Sequence, residues 1–477
     1  MKKNVFFFLS LFLFVFASCD DDNNTSTTDI AVAFVNPQVN LSAESTQVTV
    51  VFSSPTNASG TLTIQVESTA NLVYGEDFST NPVPFEGVLE VPFAANATSA
   101  SFTFNKLSDA FEGEIKHVKF TIVSASVAAI SIPEGTKSTQ LNFNETAIQS
   151  NISSAENGGN TFPNGVYVDL SSGQKTAIGR TSWDLGFYAG SEFKVVLNPG
   201  INGLAVKQLN TINIDAVQSE DASVTVGNLD PAGIFYIDNP SGILWSNDAQ
   251  THTTAIAEIA ANDADNKVYL VNLGQNISDT PATASNASFT GAERGWKKIR
   301  ILRSGNNYKL QYADLNATTH NEITIAKNTA FNHSFFSFST NNIVSAEPQK
   351  EKWDLLITPF VSYTVYNGQN VSYYFGDGIL SNNLSGTKVY QVLTSEFAYT
   401  AFEISNVVNA NFETSTATDR RAIGTNWRAT FPSASVRTDR FYVLKDAAGN
   451  IYKLKFNALV DQNGTRGTTT FEYVKLN

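Results

Sequence analysis

Apolar and polar residues alternate at a period of two through most of this chain. Examples are Gln47-Val48-Thr49-Val50-Val51-Phe52, Thr61-Leu62-Thr63-Ile64-Gln65-Val66 and Lys119-Phe120-Thr121-Ile122-Val123. A strand turns successive side chains to opposite faces, so such runs make half-buried β-strands. Clusters of Asn, Gly, Ser and Pro separate them, as turns require. No segment beyond residue 30 sustains a helical period. Thr253 to Ala261 alone is Ala-rich enough for a short helix. The fold class expected is all-β, and 477 residues exceed one ordinary core, so two or three domains are expected.

The first thirty residues are of a different kind. Lys2 and Lys3 precede an apolar run, Val5 to Ala17, broken only by Ser10. As a helix it would reach about 20 Å, short of a bilayer core of roughly 30 Å. It reads as a signal-peptide core over residues 1–18. Ala17 and Ser18 stand directly before Cys19, the only cysteine, and resemble the lipobox cut by lipoprotein signal peptidase, with Phe16 where Leu is usual. Cys19 is therefore the expected lipidation site. Residues 19–30, opening Asp20-Asp21-Asp22-Asn23-Asn24, form a polar tether. An acidic cluster after the lipidated cysteine looks like a surface-export signal. The expectation is an outer-membrane, lipid-anchored protein facing outward.

Net charge is −13, and losing Lys2 and Lys3 makes the mature chain more acidic still. Nucleic acid and anionic bilayer surfaces reward Lys and Arg clusters, so neither is an expected partner. Charged residues make up only 16% of the chain, while aromatics reach 12%, enough to build cores. One cysteine leaves no intramolecular disulfide, so the cores alone must hold the fold.

Residues 31–147 are sized for a β-sandwich. Within them Tyr74-Gly75-Glu76-Asp77-Phe78, the strand Ser99 to Phe104, an acidic turn at Leu107 to Glu114 and the strand Val118 to Val123 follow in order. This order resembles a Calx-beta domain, whose acidic turns can hold Ca²⁺. Asp77, Asp109, Glu112 and Glu114 are the carboxylates available for such a site; acidic turns capping exposed hairpins are the plainer alternative. Linker chemistry over Ser150 to Asn160 marks a boundary.

The remainder looks duplicated, as units 160–328 and 331–477. Val166 to Gly173 precedes Ser182-Trp183-Asp184-Leu185-Gly186-Phe187, and Phe335 to Thr340 precedes Lys352-Trp353-Asp354-Leu355-Leu356-Ile357. Each copy closes with a hairpin, Asn307 to Ile325 in one and Ile451 to Val474 in the other. Recurrence of Trp-Asp at one place in both copies favours structure over chemistry: a core Trp, and an Asp fixing a neighbouring backbone turn.

Trp353-Asp354-Leu355, Lys388-Val389-Tyr390, Asn426-Trp427, Phe441-Tyr442-Val443, Tyr452 to Phe456 and Phe471 to Leu476 together resemble the HmuY family. In the first copy Lys267 to Gly274 and Trp296-Lys297-Lys298 also look like longer members of that family. The resemblance implies an all-β, hand-like haem-binding lipoprotein that grips the porphyrin between apolar walls, with two side chains on the iron. It would serve iron acquisition, with an outer-membrane receptor as a further partner. The mature chain has no methionine, and no histidine follows His333. Of the four histidines, His252 lies in the loop-rich middle of a unit, where the family places its ligands. His252 is thus the candidate haem ligand, with a phenolate such as Tyr373 or Tyr374 as substitute.

No nucleophile elbow, zincin helix or phosphate-cradling loop is present, and the chain is expected not to be an enzyme. The leading expectation is a surface lipoprotein binding haem or another small apolar ligand. A carbohydrate-binding surface lipoprotein and an adhesive or structural cell-surface protein are the alternatives.

Overall fold

The computed structural model of the chain describes residues 30–41, 44–69, 72–108, 116–143, 148–227, 229–244, 253–283, 286–431 and 433–476. They divide into two compact units, one ending at Asn144 and one beginning at Glu145. Almost every element is a strand, as the alternation predicts. Among the described residues no helix is long and apolar enough to cross a membrane.

The first unit consists of two five-stranded sheets. Ser45–Phe52 and Ser99–Lys106 are central to one, Gly60–Ser68 and Lys116–Ala125 to the other. The inward residues of each alternating run, among them Val50, Ile64, Phe104 and Phe120, are buried in one core. The turn at residues 74–78 is tied by its own chain. Gly75 takes a φ of +88°, and Asp77 accepts hydrogen bonds from the Val73 N–H at 2.7 Å and the Ser108 hydroxyl at 2.5 Å. Both Asp77 oxygens are thereby occupied in holding the turn. Asp109, Glu112 and Glu114 lie outside the described residues, and among the described residues no group of three or more His, Cys, Asp or Glu could hold a metal ion.

Two sequence expectations fail in the second unit. Ser150–Glu156, read as linker, is a strand pairing antiparallel with Arg466–Leu476 at the edge of the last sheet. Its Ser and Asn residues suit a strand with one solvated face, and Ala155 is fully buried. Residues 253–261, read as a short helix, are irregular. Ile256 and Ile259 are both buried there, and backbone N–H groups of the segment bond to Asp238 and the Tyr269 hydroxyl instead of to each other. Tertiary partners override a weak local propensity.

The two repeats exchange their leading strands. Asn164–Val168 opens the first repeat, yet it pairs with Leu355–Tyr366 of the second. His333–Ser337 opens the second, yet it pairs with Leu185–Tyr188 of the first. The Trp-Asp steps lock both exchanges in the same way. Asp184 donates its backbone N–H to Phe336 O at 2.9 Å, and its carboxylate accepts from the Phe338 N–H at 2.7 Å. Asp354 repeats the pattern with Val168 O at 2.8 Å and the Leu170 N–H at 2.9 Å. An asparagine backs each step: Asn198 donates to Trp183 O at 2.8 Å, Asn382 to Trp353 O at 2.9 Å. The rings cross over too, Phe335 against Trp183 at 4.5 Å and Tyr167 against Trp353 at 4.9 Å.

The two locks differ in charge. Asp184, 0% exposed, is paired with the buried Arg294 at 2.7 Å. Among the described residues no cation pairs with Asp354; burial, then Asp169 and Asp446, push its carboxyl well above the usual range. Removing one partner of a buried ion pair strands the other charge. Asp184→Ala should therefore cost about 3–5 kcal/mol, and Asp354→Ala about 1–3 kcal/mol. Urea unfolding of the full chain measures both; an equal or reversed ranking would contradict the assignment of the charged lock.

Candidate functional site

The exchange brings Trp183 and Trp353 to the wall of one chamber of about 80 Å³. Phe335, Leu356 and Leu380 complete its apolar side. Four acidic or basic side chains, Asp238, His333, Glu347 and Arg420, line it beside the Tyr167 phenol.

Three of them are held by backbone. Glu347 accepts from the Asn332 N–H at 2.8 Å and the His333 N–H at 3.0 Å. Asp238 accepts from the Leu197 N–H at 2.6 Å and the Ala255 N–H at 2.9 Å. Arg420 donates from Nε to Pro240 O at 2.9 Å. The Nε2 of His333 is buried with no hydrogen-bond partner, as is the Trp353 indole nitrogen.

Burial sets the charge states. It pushes Glu347 up to about 8, against two backbone hydrogen bonds that oppose it. It pushes Asp238 up to about 6, with the same two kinds of opposition plus Arg420. It drives His333 down to about 3, helped by Arg420. At neutral pH the chamber thus holds a neutral imidazole, a protonated Glu347, and Asp238 ionised beside the Arg420 cation. A nearly charge-balanced, aromatic-walled space with converging polar groups is the usual form of a small-ligand site.

The candidates from sequence fare unevenly. His252 lies outside the described residues, but Thr253, next to it in the chain, lines the chamber. His333 precedes a strand in the sequence and carries no motif; the strand exchange brings it to the chamber wall. His320 is engaged with Asp215 at 2.9 Å. Tyr374 donates to Gly200 O at 2.5 Å and accepts from Arg180 at 2.6 Å, and burial pushes its phenol up to about 12. Its hydroxyl is engaged as both donor and acceptor in this arrangement. Tyr373 lies outside this chamber, at 43% exposure. The Asp of each Trp-Asp step is structural, as recurrence implied, and its carboxylate fixes a neighbouring turn, the one that follows the other repeat's leading strand. Asp238, Glu347 and Arg420 had no signal in the sequence, because nothing in their spacing marks them as neighbours.

The raised Glu347 has a consequence for stability. The unfolded chain releases this proton near 4.5 while the fold keeps it until about 8, so its contribution declines as pH rises across that window. Asp238 acts in the same direction between 3.8 and about 6. His333 acts oppositely, its contribution being lost as pH falls from 6.5 toward 3. Glu347→Gln keeps an acceptor and removes the titration. Relative to wild type it should gain about 1.4 kcal/mol per pH unit from about pH 5 to about pH 8. Denaturant unfolding across that range tests this, and a pH-independent difference would show that Glu347 is ionised in the fold.

Comparison with known proteins places this geometry. Solved structures with some likeness include the apo-form Calx CBD1 domain, at 12% identity, covering 24% of this chain and 95% of that one, with a TM-score of 0.19. A two-domain protein of unknown function from Bacteroides fragilis follows at 11% identity, covering 39% and 76%, with a TM-score of 0.20. The class 5 fimbriae chaperone CfaA gives 10%, 62% and 99%, with a TM-score of 0.18. At these scores none supports a structural argument. No curated protein matches the chain. The family described as HmuY protein matches residues 161–326 and again 329–473, which together make up well over half of the sequence. The chain belongs to the HmuY family.

Proposed function

We propose that this protein is a lipid-anchored surface binder of a small, largely apolar ligand, with haem the first candidate and iron acquisition the role. The observation that carries the reading is the His333 imidazole, half-buried and neutral at the wall of the two-Trp chamber, with its buried Nε2 unclaimed by any protein partner. Haem iron takes imidazole as an axial donor, and a neutral imidazole has no proton to lose at Nε2 once the proton sits on Nδ1. His252 is the second donor to test, one peptide step from the lining residue Thr253. Family membership supports haem as the probe.

The donors suit haem; the space does not in this closed form. Ligand pockets span roughly 300–1,000 Å³, and the chamber has about 80 Å³. Haem would enter only with its wall displaced.

The full-length chain, titrated with oxidised and reduced haem, should show a saturable, low-spin, six-coordinate spectrum. His333→Ala and His252→Ala should each abolish the low-spin bands and weaken binding at least about tenfold, about 1.4 kcal/mol. Absence of any saturable change excludes haem. A spectrum untouched by His333→Ala excludes the chamber. Anchoring is tested separately: Cys19→Ser should release the protein from membranes and remove the acyl mass from its N-terminus.

A further inference from the structure

A second cavity lies elsewhere in the same unit. It is an open cleft of about 390 Å³. It exists because the repeats differ in one element. In the first repeat the hairpin after Trp-Asp is short, Leu185–Tyr188 with Val195–Leu197. In the second it is long, Leu355–Tyr366 with Gln369–Ser381. The extra length carries Tyr373 and Tyr374 over the first repeat, where Ser372 Oγ accepts from the Gly227 N–H at 3.0 Å.

The cleft's floor is backbone. Gly203 and Gly274 meet there, and a Cβ at Gly274, whose φ is +66°, would fall 2.3 Å from Asn202 O. Its walls are three aromatic rings, Phe289, Tyr373 and Tyr374, and a chain of amides. Tyr373 is exposed yet braced edge-on by Phe375 at 4.9 Å. Phe289 is braced by Phe162 at 5.5 Å and by Tyr374 at 5.2 Å. Asn202 donates to Gln275 at 2.9 Å, and Gln275 donates to Glu293 at 2.8 Å. Asn272 donates to Val224 O and accepts from the Gly274 N–H. No Lys or Arg is among the lining residues, and Glu293 is their one carboxylate.

We infer that this cleft is a binding site for a neutral mono- or disaccharide. Fixed aromatic faces suit the apolar face of a pyranose ring, and pre-aligned amide and carboxylate oxygens suit its hydroxyl donors. The absence of lining cations turns away phosphates, uronic acids and haem propionates. Amides already hydrogen-bonded to one another lose little side-chain freedom when a ligand arrives. The site shares no lining residue with the two-Trp chamber, so the two assignments stand or fall separately.

The test is calorimetric titration of the full-length protein with glucose, galactose, mannose, N-acetylglucosamine, cellobiose and lactose, with glucuronic acid and choline as charged controls. At least one neutral sugar should bind with a dissociation constant on the order of 1 mM or tighter. Tyr373→Ala should weaken it at least about tenfold, while Tyr373→Phe, which keeps the ring, retains it. His333→Ala should leave it unchanged. Because Tyr373 is exposed, unaltered circular dichroism and melting of the variants should accompany the loss. No saturable heat from any neutral sugar overturns the inference, as does binding indifferent to Tyr373→Ala or a preference for choline or glucuronic acid.

Discussion

A buried carboxylate capping the backbone of a neighbouring repeat is the contact on which the second unit depends. Asp184 and Asp354 each satisfy one N–H in the turn that follows a strand belonging, by sequence, to the other copy. An unmet N–H at such depth costs as much as a lost hydrogen bond. Each leading strand therefore docks in one place. The crossed rings Phe335 on Trp183 and Tyr167 on Trp353 then close the seam. The chamber follows from that seam: its two Trp walls and His333 are brought together by the exchange.

The family gives the repeat, and local differences separate the two copies. One lock is an ion pair with Arg294, the other a carboxyl pushed up by burial and by Asp169 and Asp446. One post-Trp hairpin is short, the other long enough to arch over the neighbouring copy. A duplicated scaffold needs each fold-defining residue twice but each functional pocket once, so asymmetry is where specialised chemistry is to be sought.

The strands were legible in the sequence because period-two alternation is enforced by burial on one face: Val48, Val50 and Phe52 are buried as their spacing requires. The closing hairpins were legible for the same reason. The edge strand Ser150–Glu156 was not, since Ser and Asn on a solvated strand look like a linker. The irregular stretch after Thr253 was misjudged because its buried isoleucines answer to distant partners. The site was the least visible part. His333, Glu347, Asp238 and Arg420 span 182 positions of the chain, and only the crossed pairing makes them neighbours. No local pattern records a contact set by strand exchange.

Reciprocal exchange makes this unit a dimer fused into one chain. Its halves meet through strands each has lent to the other, and the connection between residues 326 and 333 merely keeps them at high local concentration. Severed there, each fragment would lack strands of the sheets it shares with the other, and the two would carry complementary missing pieces. The molecule is in this sense a latent split protein, in which assembly of the fragments and formation of the chamber are one event.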